Sequence, residues 1–440
     1  MSLTEEQQRI IKAKDKYMMV IAGAGCGKTF TILKRVEYLI NELNVNKESI
    51  LIISFTNNTV NDIKKKIKDV DVLTFHKLAI KLLGSKVNKL ITDYDLKYYL
   101  NEYFLHNLTK HQRKYLKYYL DSNDYQYFIK RMISLINIYK ANNGNLYQLS
   151  LIYLDNIFNK KERYFIKLFY AFLKFYTQEL NSFNGYDFND LIIKASSSKN
   201  KLCYQYIIVD EFQDTSLIRL NLLKKLVNDN NASLMVVGDD YQSIYQFSGS
   251  NLNIFLDFNH EFNAKTYYLT KTFRNSYELV NVAGLFIMKN RLQIKKSMLS
   301  DKHLRKPIII YYFQDLKNSV NKIITNYDDY MILGRNHEDN LDFNNFYTVH
   351  ASKGLESEVV IIINNQDSYL GFPNKINNDK IASYLINFNE INYAEERRLF
   401  YVALTRSKNE VYLMVKHHEE SIFIKELIKD YHDYIVFKEE

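Results

Sequence analysis

The segment that most constrains the fold is AGAGCGKT at residues 22–29, which lies between the apolar run 17–21 and a stretch with helical periodicity. A strand, a glycine-rich turn and a helix in this order form a phosphate-binding loop, because the N–H groups of the turn point at a phosphate. Lys28 can then reach the β- and γ-phosphate oxygens, and the Thr29 hydroxyl can ligate Mg²⁺. The strict pattern has glycine at position 22, so the segment alone leaves a plain glycine-rich turn as the alternative. The expected nucleotide site comprises Ala22, Gly23, Ala24, Gly25, Cys26, Gly27, Lys28 and Thr29.

The composition is that of a multidomain globular protein. The chain has 440 residues, which is enough for about two to four domains. Hydrophobic residues make up 47% of it, sufficient for packed cores. The net charge of +9 favours a polyanionic partner without establishing one.

Cysteine usage and hydropathy bear on the compartment. Cys26 and Cys203 are spaced neither as a disulfide framework nor as a metal site, and Cys26 occupies a loop position that needs only a small side chain. Neither an apolar signal core nor an apolar run of about 18 residues occurs in the sequence. We therefore expect a cytoplasmic protein in a reducing environment without a membrane partner. For a eukaryotic or viral source, the nucleus or a viral factory is the alternative.

The order of apolar runs predicts an α/β fold with parallel sheets. From residue 85 the pattern changes to apolar residues at three- and four-residue spacing with almost no glycine, which predicts helices. We expect residues 1–84 and 186–264 to form one α/β domain, residues 85–185 a helical insertion in it, and residues 265–440 a second α/β domain. The predicted strands are 18–21, 50–54, 71–74, 206–209, 234–237, 307–311, 330–333, 345–349, 359–363 and 411–415.

A pair of acidic residues follows the predicted strand 206–209. Asp210 at a strand end can hold Mg²⁺ through water, and Glu211 beside it can orient and deprotonate the water that attacks a γ-phosphate. Carboxylates at strand ends are also common as caps. The phosphate loop earlier in the chain favours the hydrolase interpretation.

A second polar segment, GDDYQSIYQFSGS at 238–250, also follows a predicted strand. Gln242 is placed to sense a γ-phosphate. Tyr245 and Phe247 offer two aromatic faces for stacking, although packing in a core explains their spacing equally well.

In this order, the segments from Leu3 to Lys408 resemble the UvrD/Rep/PcrA-like superfamily 1A helicases. The resemblance implies that ATP binds between two RecA-like P-loop domains, with Gln7 reading the adenine base. It also implies single-stranded DNA contacts in the segments ISFTNNTV, LTFHKLA and YDFNDLI. The DNA-contacting residues implied there are Phe55, Thr56, Asn57, Thr74, His76 and Phe188.

The second half of the chain continues the resemblance. LTKTFRNS implies Phe273 stacking on adenine and Arg274 as a finger on the γ-phosphate, and EERRLFYVALTRSK supplies Arg406 as a second finger. Two arginines from a separate lobe suit this reaction, because negative charge develops on the γ-phosphoryl group as the lobes close. TVHASKGLESEVVII implies that Thr348 and His350 face DNA while Gly354 and Glu356 face the nucleotide.

Three departures from the family pattern affect the expected activity. Phe247-Ser248 stands where relatives have Trp-Arg, which keeps a stacking face and loses a cation. Phe273 replaces the usual tyrosine. The large 2B subdomain of relatives is inserted between a strand like MILGRN (331–336) and the segment at Thr348, where this chain has about a dozen residues, so we expect it to be missing.

The expected function is an ATP- and Mg²⁺-dependent helicase or translocase on single-stranded DNA and at single-strand/duplex junctions. The resemblance implies 3′–5′ movement. Because 2B is expected to be missing, one alternative is a translocase that displaces proteins or drives a partner nuclease and unwinds little duplex alone. A protein partner that takes over the role of 2B is also expected as a possibility. A slow nucleotide-switched DNA clamp and an RNA track are further alternatives.

Overall fold

The computed structural model describes residues 3–84, 89–120, 124–144, 158–375, 379–386 and 391–440. Its framework is two six-stranded sheets in which every neighbouring pair is parallel. We call each sheet with its covering helices a lobe. The two sheets confirm the predicted α/β class with parallel strands.

The first sheet holds the nucleotide-site segments at one edge. From side to side it runs β3 (Asp71–Leu73), β2 (Ile50–Ile53), β6 (Tyr206–Val209), β7 (Ser233–Gly238), β1 (Tyr17–Ala22) and β8 (Lys265–Leu269). Its strands are apolar on both faces: Leu51 and Ile53 enter one core, while Ile50 and Ile52 enter the core on the other side. The carboxyl ends of parallel strands meet at one edge, so the loops after β1, β6, β7 and β8 converge there.

The second sheet has the same construction. Its order is β11 (Phe346–Thr348), β10 (Tyr330–Gly334), β12 (Ser357–Ile362), β13 (Ser407–Val415), β9 (Ile308–Tyr312) and β14 (Ile435–Glu439). Ile308 and Ile310 face one core, and Ile309 and Tyr311 face the other. The helices around the two sheets are Glu5–Lys12, Lys28–Asn41, Asn57–Lys66, Phe75–Leu83, Phe188–Ser196, Leu217–Asn230, Leu252–Leu256, Phe258–Phe262, Tyr277–Ile287, Leu316–Ile324, Ala394–Leu404 and Ile422–Tyr431. A further helix, Lys380–Ile386, packs away from the sheets.

The region predicted as a helical insertion consists, where the structure describes it, of helices with short turns and of two short strands at its ends. These strands, β4 (Lys89–Ile91) and β5 (Gly185–Asp187), pair in parallel. The predicted insertion also includes 85–88, 121–123 and 145–157, which lie outside the described residues. Its helices share a core rich in Phe and Tyr; they are Asp93–His106, Lys110–Leu120, Tyr125–Ala141 and Lys160–Ser182.

The chain passes between the lobes around residue 270, slightly later than the sequence pattern suggested. Residues 265–269 form β8, which pairs with β1 in the first sheet. The next helix, Tyr277–Ile287, packs in the core of the second lobe. The chain then returns to the first lobe, where Leu299 bridges to Lys271 and Met298 enters the first lobe's core. Residues 270–276 therefore form a connection that belongs to the interface.

Two further connections matter for function. Residues 335–345 join β10 to β11 through a single short 3-10 turn at His337–Asp339. Residues 379–386, which follow β12, pack against the helical insertion: Ile381 enters its core, and Asp379 accepts hydrogen bonds from Arg131 at 2.5 and 2.9 Å.

In the part of the chain that the structure describes, no helix combines the length and apolarity needed to cross a membrane.

Candidate nucleotide site and nucleic-acid interface

The phosphate loop has the backbone geometry that its glycines allow. Gly25 and Gly27 have φ of +71° and +74°, in the left-handed region that side chains with a Cβ rarely adopt. A Cβ on Gly25 would also lie 2.6 Å from the Thr272 hydroxyl and 2.7 Å from the Cβ of Arg274. The helix Lys28–Asn41 begins directly after Gly27, so its unpaired N–H groups and its dipole face the loop. These features fit a phosphate.

The small residues of the loop pack inward. Ala22, Ala24 and Cys26 are buried, and Ala24 contributes to the core of the second lobe. Burial raises the pKa of the Cys26 thiol to about 12. The thiol therefore stays protonated near neutral pH, which agrees with a filler and not with a nucleophile. Thr29 lies one residue into the helix and is partly buried.

Lys28 reaches across to the acidic pair after β6. Its Nζ lies 2.9 Å from Glu211 Oε1. Desolvation lowers the pKa of Lys28, but the charges of Glu211, Asp239 and Asp210 outweigh it and raise the pKa. Burial and the Glu211 charge raise the pKa of Asp210 to about 7, whereas the charges of Lys28 and Lys353 outweigh burial and lower the pKa of Glu211. Glu211 therefore loses its proton at lower pH than Asp210 does.

Two neighbours that the sequence analysis did not single out fix the acidic pair. Gln213 Nε2 donates to Glu211 Oε2 at 2.6 Å, and the backbone N–H of Asp239 donates to Gln213 Oε1 at 3.0 Å. Lys353 belongs to the second lobe, and its Nζ lies 2.5 Å from Asp214 Oδ2 and 3.7 Å from Glu211 Oε2. Gln213 lies three residues after Asp210, and Lys353 lies within the segment TVHASKGLESEVVII, but only the tertiary structure brings them together.

Arg406 approaches the same place from the second lobe. It is 1% exposed, and it donates from Nη2 to Gln242 Oε1 at 3.2 Å, from Nη1 to Leu355 O at 3.2 Å and from Nε to Val402 O at 3.1 Å. No described carboxylate pairs with it. Desolvation, and then the charge of Arg274, lower the pKa of Arg406 to about 9. A buried guanidinium without a counter-charge favours a bound anion.

Arg274 lies on the interface connection beside the phosphate loop. Its Nε is 2.7 Å from Glu356 Oε2, and its Nη1 donates to Thr405 O at 3.1 Å. Glu356, predicted to face the nucleotide, is therefore the partner of Arg274 in this structure. Gly354, two residues earlier, has φ of +92° with no heavy atom within 4 Å of an added Cβ.

The residues predicted to contact adenine lie on either side of the loop. Gln7 is buried, and its Oε1 accepts from the backbone N–H of Thr4 at 3.0 Å. Its Nε2 would lie 3.3 Å from a Cβ on Gly27. Phe273 is 45% exposed, and its backbone N–H donates to Gly25 O at 2.9 Å. An exposed ring and a buried amide thus flank the loop.

Four of the predicted DNA-contacting rings form a series that runs from the first lobe to the second. Phe55 stacks on Tyr245, with centroids 5.5 Å apart and planes at 19°. Tyr245 lies 6.0 Å from Phe247, and Phe247 lies 5.3 Å from His350 of the second lobe. Phe247 is 50% exposed, so its ring is open to a ligand. We call these four rings the aromatic track.

A second pair of predicted rings, His76 and Phe188, makes an edge-to-face contact at 5.1 Å. Burial lowers the pKa of both His76 and His350 to about 4, with a further contribution from Arg219 and Arg335 respectively. Both imidazoles are therefore neutral near pH 7 and can donate or accept one hydrogen bond at each nitrogen. The Arg219 guanidinium also lies over the Phe55 ring at 4.7 Å, a contact that sequence reasoning missed.

The hydroxyl groups of three threonines predicted to contact DNA accept hydrogen bonds from the backbone. Thr56 and Thr74 cap helices by accepting from the backbone N–H groups of Thr59 and Lys77. Thr348 is buried and accepts from the Ala351 N–H at 3.3 Å. Their roles toward DNA stay predictions. Asn57, the first residue of its helix, is exposed.

Comparison with known proteins identifies the class. The UvrD/REP helicase N-terminal domain family matches residues 3–263, and the viral superfamily 1 RNA helicase core domain family matches residues 173–415. The chain therefore belongs to the UvrD/REP helicase family, and the predicted resemblance is confirmed.

Several curated helicases are similar to this chain. DNA helicase IV of Escherichia coli (strain K12) is 27% identical, over 97% of this chain and 70% of that protein. ATP-dependent DNA helicase Rep of Buchnera aphidicola subsp. Schizaphis graminum is 29% identical, over 76% of this chain and 53% of that protein. A probable DNA helicase of Mycoplasma pneumoniae is 27% identical, over 98% of this chain and 87% of that protein. The chain thus aligns to about half of Rep and to most of the Mycoplasma protein.

Proposed function

We propose that this protein is an ATP-dependent DNA helicase or translocase that moves along single-stranded DNA and binds ATP between its two lobes. The observation that carries the proposal is the convergence beside the phosphate loop of Lys28, Gln242, Arg274 and a buried Arg406 that has no carboxylate partner in the described part of the chain. Such a cluster of cationic and amide groups suits the γ-phosphate of ATP, where charge develops during hydrolysis. The names of the curated relatives support the same activity.

The ion pair of Lys28 with Glu211 suggests how substrate binding prepares the site. Phosphate oxygens would compete for Lys28, because they carry more charge than one carboxylate. Glu211, released from Lys28 but still held by Gln213, could then orient and deprotonate the attacking water. Thr29 and Asp210 are the residues that would hold Mg²⁺, which would neutralise charge on the β- and γ-phosphates when bound.

The aromatic track supports a single-stranded nucleic acid as the second substrate. Stacking of a base on an aromatic ring is worth about 1–3 kcal/mol and tolerates any sequence. The track includes rings from both lobes, so a change in lobe spacing upon ATP binding or hydrolysis would shift its rings relative to one another. The same interface holds Arg274 and Arg406, which couples the nucleotide state to the strand. Movement in the 3′–5′ direction is part of this proposal on the basis of resemblance.

A translocase with little unwinding activity is the second candidate. The observation that favours it is the short connection 335–345 between β10 and β11, where the family pattern has the 2B subdomain. A protein partner could supply that function. RNA is the alternative track, and the match to a viral RNA helicase core favours testing it.

ATP hydrolysis stimulated by single-stranded DNA tests the proposed activity. We expect strong stimulation by single strands and weak stimulation by duplex. Lys28→Ala should lower kcat by at least about 1000-fold, because the ammonium group of this lysine is expected to contact the β- and γ-phosphates. Lys34→Ala is the matched control, since Lys34 lies on the same helix and pairs with the exposed Glu37. Near-normal turnover of Lys28→Ala, or a flat response to single strands, would refute the proposal. Equal stimulation by single-stranded RNA would instead show that the protein accepts both DNA and RNA as its substrate strand.

A further inference from the structure

Lys296 is a fully buried lysine that is not among the residues proposed to contact ATP or DNA. It lies on the segment that returns from the second lobe to the first, and its side chain has 0% exposure. Its Nζ is 2.5 Å from Asp239 Oδ1 and 2.6 Å from Asp240 Oδ1, and it lies 3.6 Å from the centroid of the Tyr241 ring. Two carboxylates and one aromatic face thus surround the ammonium group.

Asp239 uses its other oxygen on Gln242. Gln242 Nε2 donates to Asp239 Oδ2 at 2.6 Å, and Gln242 Oε1 accepts from Arg406 at 3.2 Å. An ionised carboxylate can only accept hydrogen bonds, so Asp239 requires the amide nitrogen of Gln242 to face it. The amide oxygen then faces Arg406. A reversed amide would set an NH₂ group against a guanidinium, two donors without an acceptor.

A buried lysine with two carboxylates is an expensive way to stabilise a fold. Desolvation of three charges costs several kcal/mol for each ion, and apolar replacements of such clusters are often neutral or stabilising. The charges of Asp239 and Asp240 outweigh desolvation and raise the pKa of Lys296, so it remains charged. What the lysine supplies is a fixed position for the Asp239 carboxylate.

The Lys296 segment also supports Arg274. Leu299, three residues later, accepts from the Thr272 N–H at 2.8 Å and donates to Thr270 O at 3.0 Å. These bonds hold the interface connection that carries Arg274. The same short segment therefore contacts the supports of both Gln242 and Arg274.

We propose that Lys296 is a positioning residue for ATP hydrolysis, which holds Asp239 so that Gln242 presents its amide oxygen to Arg406 at the γ-phosphate position. This inference rests on the proposed function. It predicts that Lys296 acts on kcat through Asp239 and Gln242, since the side chain of Lys296 is fully buried and Asp239 is the carboxylate that holds the Gln242 amide. A misplacement of about 1 Å in such a site can cost about 100-fold in rate.

Asp239 and Asp240 give a matched test, because both are fully buried and both bind Lys296, but only Asp239 contacts Gln242. In Asp239→Asn the new NH₂ group would favour the reversed Gln242 amide. We expect its kcat for DNA-stimulated hydrolysis to fall about 10- to 100-fold, with the KM for ATP within about twofold. Asp240→Asn should keep kcat within about twofold of wild type. It should lower the unfolding temperature by about as much as Asp239→Asn does. Equal effects of the two variants on kcat would overturn the inference.

A double-mutant cycle between Lys296 and Gln242 provides the second test. Lys296→Gln should lower kcat in the wild-type background and cause no further loss in the Gln242→Ala background, because the two residues act on one step. The measurements are made well below the lowest unfolding temperature. Equal losses in both backgrounds would mean that Lys296 is only structural. If Lys296→Gln does not fold, the aspartate pair still decides the question.

Failure of this inference differs from failure of the proposed function. If wild-type protein lacks hydrolysis stimulated by single strands, the proposed function itself is refuted. If wild-type hydrolysis is normal and the Asp239 and Asp240 variants behave alike, only the role of Lys296 is wrong.

Discussion

Replacing Arg406 by methionine should separate stability from catalysis. Arg406 is 1% exposed and has no carboxylate partner among the described residues, and desolvation lowers its pKa to about 9. That pKa corresponds to roughly 5 kcal/mol of unfavourable free energy for the charged side chain in the folded protein. Its three hydrogen bonds each return about 1.5–3 kcal/mol. The two contributions nearly cancel, so the guanidinium adds little to the free energy of unfolding without a bound anion.

We therefore expect Arg406→Met to leave the free energy of unfolding within about 2 kcal/mol of wild type, since an apolar side chain of similar volume replaces an uncompensated charge. The expected kcat loss for ATP hydrolysis is at least about 1000-fold, the scale of an arginine that stabilises a phosphoryl transition state. Nucleotide should also stabilise the variant less than the wild type, because binding to the folded state stabilises it by an amount that grows with the logarithm of the nucleotide concentration divided by Kd.

The assay is denaturant unfolding without nucleotide, beside DNA-stimulated ATP hydrolysis. Arg397→Met is the matched control, because Arg397 is buried on the preceding helix but pairs with Glu426 at 2.7 Å. Removing it leaves a carboxylate with less compensation and should cost about 3 kcal/mol. Destabilisation by Arg406→Met as large as that by Arg397→Met, or near-normal hydrolysis by Arg406→Met, would exclude the role assigned to Arg406.

Two other substitutions address the interface and the aromatic track. Arg274→Ala should lower kcat by at least about 100-fold while the KM for ATP changes by less than about fivefold, because a finger acts on the transition state; equal changes in both parameters would exclude that role. Phe247→Ala should raise the DNA concentration needed for half-maximal stimulation by about 5- to 150-fold, the equivalent of about 1–3 kcal/mol of stacking. Phe437→Ala, at an exposed phenylalanine on β14, is its control, and similar results for the two variants would remove Phe247 from the track.

Most of the strands predicted from the sequence have a continuous apolar run. Strand 206–209 was predicted with its observed bounds, and the other nine predicted strands overlap observed ones. Strands β4, β5, β8 and β14 were missed. Strand β8 reads Lys-Thr-Tyr-Tyr-Leu with only its last residue buried, since it lies at the edge of the sheet. A pattern that depends on burial cannot predict such strands.

For the site, the sequence identified the loops but not their contacts. Motif order placed Lys28, Glu211 and Arg406 in one site, and the structure brings all three to the lobe interface. Lys296 and Lys353 escaped notice because a single lysine in an ordinary stretch has no local signal. Their importance comes from acidic partners that are more than 50 residues away in sequence.

Displacement of streptavidin from biotinylated single-stranded DNA, run beside unwinding of 3′- and 5′-tailed duplexes, tests the central claim most directly. The account predicts ATP-dependent displacement of streptavidin from the 5′ end, faster than from the 3′ end and absent in Lys28→Ala. Unwinding of the 3′-tailed duplex would identify a helicase, and displacement without unwinding a translocase. ATP hydrolysis stimulated by single strands without displacement from either end would contradict movement along DNA.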